Sequence, residues 1–114
     1  MHISRGDIWQ VNLDPTLGAE IRKTRPVIVI SSDLIGILPI KLVAPLTEWK
    51  DFLDDNIWHV RISPDPENGL TKPSAVDVLQ LRGLDTQRFL RKIGNVSPDI
   101  MQSIVAAINA VIES

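Results

Sequence analysis

Arg25 is followed by proline and then by Val27-Ile28-Val29-Ile30, so a guanidinium stands at the head of an apolar, β-branched block. Pro26 fixes its own φ and keeps the preceding residue extended. Arg25 would therefore project from the mouth of a buried strand, with packing behind it. Its rigid fork of donors, charged at any physiological pH, suits a phosphate or a carboxylate. The segment before it, Gly18-Ala19-Glu20-Ile21-Arg22-Lys23-Thr24, adds one carboxylate and two further cations to the same loop. Cysteine is absent, which removes thiolate nucleophiles, thiolate metal sites and disulfides. His2 and His59 are too few and too isolated to suggest a metal cage.

The chain that must position this loop has 114 residues, 44% of them hydrophobic, which suits one core and one domain over residues 1–114. A net charge of -2 and a pI near 5.6 argue against a protein that coats duplex nucleic acid, so any such site must be local. The charges are uneven: Arg22, Lys23 and Arg25 form a basic cluster, and Glu48, Asp51, Asp54 and Asp55 a largely acidic segment. No apolar run approaches the roughly 18 residues that span a bilayer, and Met1 to Arg5 lacks a signal-peptide core, so the expected location is the cytoplasm.

Strands are expected at Ile8 to Leu13, Val27 to Ser31, Ile40 to Ala44 with Pro45 as its stop, Ile57 to Ile62, Ala75 to Leu81 and Phe89 to Ile93. A turn is expected near Leu84-Asp85. The second strand reads as buried on both faces, and the fourth alternates, with His59 on its wet side. The one clear helix comes last. Ser97 can cap it, Pro98 takes the first position, and Ile100, Ile104, Ile108 and Val111 form its stripe. Met101, Val105 and Ile112 widen that stripe, leaving burial on its own domain and a dimer contact both open. The fold class is α+β, mostly β: a small half-open barrel with a C-terminal helix.

Four blocks in order, Arg5-Gly6-Asp7-Ile8-Trp9, Glu20 to Pro26 with the strand after it, Pro45-Leu46-Thr47, and Gln80-Leu81-Arg82-Gly83-Leu84-Asp85, resemble the MazF/PemK toxin family over nearly the whole chain. The resemblance implies an SH3-like barrel, a homodimer, and the toxin of a toxin-antitoxin pair. Its activity would be sequence-selective cleavage of single-stranded RNA without metal or other cofactor, and its protein partner a cognate antitoxin whose flexible tail blocks the RNA groove. It carries catalysis onto Arg25 and Thr47, with Glu20 beside them in the loop, and RNA contacts onto His59, Ser74, Gln80 and Arg82; Arg22 and Lys23 add loop cations. Ala19 departs from a serine common in the family, and Trp49 and Trp58 add bulk nearby, differences that bear on the cleaved sequence more than on the chemistry.

Cleavage of this kind uses the substrate's own 2′-hydroxyl and leaves a 2′,3′-cyclic phosphate and a 5′-hydroxyl, so the enzyme need not supply a nucleophile. It must stabilise a crowded phosphorane and move two protons. Arg25 suits the first task, with Thr47 as a second donor. Arginine is a poor base, so Glu20 either accepts a proton or orients Arg25 through an ion pair. Gln80 and Arg82, two apart on a strand, would share a face. Trp9 is expected in the core. Two other readings remain at this point: a topoisomerase poison like the CcdB relatives, which act through a tryptophan-containing end where this chain has Val111-Ile112-Glu113-Ser114, and a nucleic-acid-binding barrel without catalysis.

Overall fold

A computed structural model describes residues 1–114. Seven strands run β1 (Asp7–Asn12), β2 (Thr24–Val29), β3 (Ile40–Glu48), β4 (His59–Ile62), β5 (Ser74–Asp77), β6 (Arg82–Asp85) and β7 (Phe89–Asn95), followed by helix α1 (Pro98–Ile112). All pairings are antiparallel, in the order β4-β5-β3-β2-β1-β7 with β6 also on β3. The sheet curves without closing into a barrel, in line with the half-open architecture expected.

Side-chain alternation divides the interior between two cores. Ile8, Ile28, Ala44 and Leu46 face one side, where Met101 and Ile104 of α1 join them. Trp9, Val11, Val27, Val29 and Val43 face the other, with Leu84 and Phe89. Strands β1 to β3 are thus apolar on both faces, which is why Val27 to Ile30 reads as an unbroken hydrophobic run. Trp9 is buried as expected; its indole N–H reaches Asp7 Oδ2 at 3.2 Å and its ring meets Phe89 edge-on. The helix forms where the sequence places it: Ser97 Oγ accepts from the Ile100 N–H at 3.3 Å. Its stripe packs on its own domain, leaving Ile112 exposed.

Among the boundaries that differ from expectation, three shape the site. Pro45 does not stop β3, which runs nine residues through it. On the side away from β2, pairing with β6 ends at Val43 and pairing with β5 begins at Leu46, so Pro45 falls at the changeover, where a missing donor interrupts neither ladder. Strand β5 ends at Asp77 because that carboxylate accepts from the Leu79 N–H at 3.0 Å and turns Val78–Gln80 into a short 3-10 helix. Leu84-Asp85 belongs to β6; Asp85 accepts from the Gln87 N–H at 2.8 Å and moves the turn to Thr86–Arg88.

One close approach fixes the long connection between β4 and β5. Asn68, almost fully buried, accepts from the N–H groups of Asp65 (3.1 Å) and Leu70 (3.0 Å) and donates to the Ser63 carbonyl at 2.9 Å. The folded segment lies directly on β7: a Cβ at Gly94 would stand 2.4 Å from the Glu67 carbonyl oxygen.

Candidate active site

Carried two residues beyond Val27↔Pro45, the β2–β3 register would set Arg25 opposite Thr47. The ladder ends first. Strand β3 leaves β2 and pairs with β5 over Leu46–Glu48, and a cleft of about 240 Å³ opens in the fork between them. Arg25 lines it from β2, Leu46, Thr47 and Glu48 from β3, Ser74 from the start of β5, and Leu70, Thr71 and Lys72 from the segment that Asn68 organises.

Arg25 is exposed, as its place at the mouth of a buried strand predicts, while Val27 to Ile30 behind it are buried. Its Nε donates to the Arg22 carbonyl at 3.4 Å, leaving the terminal nitrogens of the fork for a ligand. Thr47 is half-buried and its hydroxyl donates to the Glu48 carbonyl at 3.2 Å; rotation about χ1 would release it towards the cleft. Ser74 Oγ donates to the Lys72 carbonyl at 3.1 Å. The cleft thus offers a guanidinium, an ammonium and three hydroxyls, the donor set of a phosphodiester site. Glu48, its one carboxylate, lies 3.6 Å from Lys50.

Of the residues anticipated from sequence, Arg25, Thr47 and Ser74 come together here, and Arg22 and Lys23 are exposed in the loop that leads into Arg25. Glu20 does not pair with Arg25. Its carboxylate turns back to accept from the Leu17 N–H, and it lines a neighbouring cleft of about 370 Å³ together with Gln80 and Arg82. His59 is not on a wet face: its side chain is 8% exposed, 3.8 Å from Asp77 and 3.2 Å from the Asn56 amide. Those two partners draw the ring inward, so His59 is the exception in a segment that otherwise alternates as read: Ile57 and Arg61 are exposed, Trp58 and Val60 pack on the core, and Ile62 is buried. Gln80 and Arg82 do not share a strand face either, because Gln80 ends the 3-10 turn and Arg82 begins β6. Both hydrogen-bond the backbone of the β1–β2 loop.

Lys72 is the cationic lining residue that sequence reasoning missed, with Thr71 beside it. A signal was present: Lys72-Pro73 repeats the pattern of Arg25-Pro26, a cation followed by proline at the head of a strand.

The family model described as PemK-like, MazF-like toxin of type II toxin-antitoxin system matches residues 4–112. The chain is 34% identical over 99 residues to endoribonuclease MazF9 of Mycobacterium tuberculosis, covering 82% of this chain and 81% of that one. It is 31% identical over 111 residues to endoribonuclease EndoA of Bacillus subtilis, covering 95% and 92%. Among solved structures, MazF from Deinococcus radiodurans superposes with a TM-score of 0.79 at 18% identity, covering 98% of this chain and 97% of that one. A mycobacterial endoribonuclease in complex with its cognate antitoxin superposes at 0.77 and 17%, covering 98% and 96%. No helix is long and apolar enough to cross a membrane. With this match running through both strands of the fork and on through α1, the chain belongs to the PemK-like, MazF-like toxin family of type II toxin-antitoxin systems.

Proposed function

We propose that residues 1–114 form one toxin domain acting in the cytoplasm as a sequence-selective endoribonuclease, and that the fork between β2 and β3 is where RNA is cut. The observation that carries this reading is the meeting of Arg25 and Thr47 in one cleft, with Lys72 and Ser74 on its far wall. The 2′-hydroxyl of the nucleotide before the cut attacks the adjacent phosphorus as it gives up its proton to water, the P–O5′ bond breaks with O5′ taking a proton from water, and the products carry a 2′,3′-cyclic phosphate and a 5′-hydroxyl. No cofactor enters this step. Arg25 binds the non-bridging oxygens as charge builds on them, Thr47 adds a hydroxyl donor, and Arg22 and Lys23 guide the flanking phosphates. Glu20, outside the cleft and bonded to the Leu17 N–H, takes neither the proton nor an ion pair with Arg25.

The test is incubation with mixed single-stranded RNA in EDTA, followed by analysis of fragment ends. Discrete cuts ending in 2′,3′-cyclic phosphate are expected; RNA left whole across varied sequences would refute the reading.

The same proposal includes a homodimer and a cognate antitoxin whose extended tail occupies the cleft. Support for the dimer comes from the β2–β3 connection, where Leu34 and Ile37 are fully exposed beside Ile35, Leu38 and Ile40. Apolar groups so concentrated mark a protein contact. Ile37→Asp is expected to shift the sedimenting species from dimer to monomer; a wild-type protein that sediments as a monomer would remove the dimer from the proposal.

A further inference from the structure

The β1–β2 loop, residues 13–23, is fastened to the rest of the molecule by a few side chains. At its N-terminal end, Arg82 Nη1 donates to the Leu13 carbonyl at 3.2 Å, and Arg88 Nη1 donates to the carbonyls of Asn12 and Asp14. At its middle the long-range hydrogen bonds come from Gln80. Its Oε1 accepts from the Ile21 N–H, and its Nε2 donates to the Ala19 carbonyl at 3.3 Å. Gln80 is itself held, since Nε2 also reaches Asp77 Oδ2 at 3.4 Å, and that carboxylate lies 3.8 Å from the buried His59 ring. A glutamine uses both ends of its amide here: an acceptor for one peptide, donors for another and for a carboxylate.

What the loop carries is the support for Arg25. The Arg22 carbonyl that accepts from Arg25 Nε belongs to the same planar peptide unit as the Lys23 N–H, and that N–H is bound by Asp14 Oδ1 at 3.1 Å. The preceding residue, Ile21, is the one whose N–H Gln80 holds. Beside the backbone bond from the Leu13 N–H to the Lys23 carbonyl at 2.9 Å, two side chains determine where this peptide lies and how it is turned, Gln80 from across the sheet and Asp14 from within the loop.

Resting on the reading of Arg25 as the residue that contacts the scissile phosphate, we infer that Gln80 is a positioning residue for cleavage: it clasps the loop at Ala19 and Ile21 and so sets the Arg22 carbonyl against which the Arg25 guanidinium is aimed, with Asp14 completing the clasp. Gln80 raises the rate without reading a base. Near-attack geometry is sensitive to displacements of an ångström, so loosening this support lowers the chemical step far more than it weakens RNA binding.

The experiment pairs a measurement without substrate with one on RNA, in the full chain. Gln80→Met keeps the length of the side chain and removes its donors and acceptor. In this variant the Ile21 amide is expected to exchange with solvent about tenfold faster or more, and the Arg25 Nε–H resonance to move, while the Ala44 amide of the core is unchanged. Single-turnover cleavage is expected to fall roughly ten- to a hundredfold with the same sequences cut. Gln80→Glu, which retains an acceptor for Ile21, is expected to restore part of the protection, and Asp14→Ala to lower the rate in the same direction as Gln80→Met. Unchanged Ile21 exchange in Gln80→Met would overturn the clasp, and faster exchange at an unaltered rate would overturn its link to Arg25. A changed set of cut sequences at full rate would make Gln80 a base reader instead. Failure of the wild-type protein to cut RNA would count against the proposed cleavage site, whereas the exchange arm tests the clasp by itself.

Discussion

Arg25→Ala is expected to slow single-turnover RNA cleavage by roughly a hundred- to a thousandfold, the scale on which a preorganised donor at a developing charge contributes. Binding should change much less, because Arg22, Lys23 and Lys72 still line or approach the same face. Affinity is read with an RNA in which the 2′-hydroxyl before the cut is methylated, so that it binds without reacting. Arg25→Lys separates charge from geometry: an ammonium preserves the sign but not the planar fork, and Nε would no longer lean on the Arg22 carbonyl. It should recover only part of the lost rate. Should Arg25→Ala abolish affinity while the remaining bound RNA is cut at the normal rate, Arg25 would be a binding group and the chemistry would have to lie elsewhere.

The second large effect is on stability. Gly94→Ala adds one methyl group at a point where the nearest atoms are backbone, the Glu67 carbonyl oxygen at 2.4 Å and the Asn68 carbonyl carbon at 2.5 Å. Neither can rotate away. Relief requires the Ser63 to Leu70 segment, which the Asn68 side chain binds together internally, to lift from β7 as a unit and break the Asn95 N–H bond to the Glu67 carbonyl at 2.9 Å. A loss of about 3 kcal/mol is expected from such overpacking, which for a domain of this size lowers Tm by about 15 °C. Gly83→Ala is the comparison: its added Cβ meets only the Ile40 Cγ2 methyl at 3.4 Å, and stability should stay within about 1 kcal/mol of wild type. Because the displaced segment ends at Leu70 and leads directly into Thr71 and Lys72, Gly94→Ala should also weaken RNA binding below its melting range. Equal melting temperatures for the two variants would show that the segment is not pinned on β7.

How much of this was legible in the sequence depended on how local the determining forces are. Ser97-Pro98 announces α1 because cap and first turn lie within four residues, and Val27 to Ile30 announces β2 because burial on both faces leaves no polar position. Pro45 misled because its tolerance depends on where two other strands begin and end, information that residues around it do not hold. For the site, Arg25 was readable from its own neighbours. Thr47 came from family resemblance, and its nearness to Arg25 follows from strand register. Gln80 and His59 were read as facing RNA because residue type cannot say whether a polar group is already satisfied from within. Their partners, Ile21 and Asp77, lie 59 and 18 positions away.

The changeover of partners along β3 has a consequence for how such toxins diversify. Arg25 and Thr47 stand on two strands paired with each other just behind them, at Val27 and Pro45, so the spacing of their backbones is inherited from the ladder, while the β1–β2 loop only aims the guanidinium. The stretch from Trp49 to Trp58 departs on the far side of that junction. Insertions, deletions and substitutions there can accumulate without respacing the two groups. The fork thus separates what must stay constant, the spacing of two groups, from the neighbouring connection, where change leaves that spacing untouched.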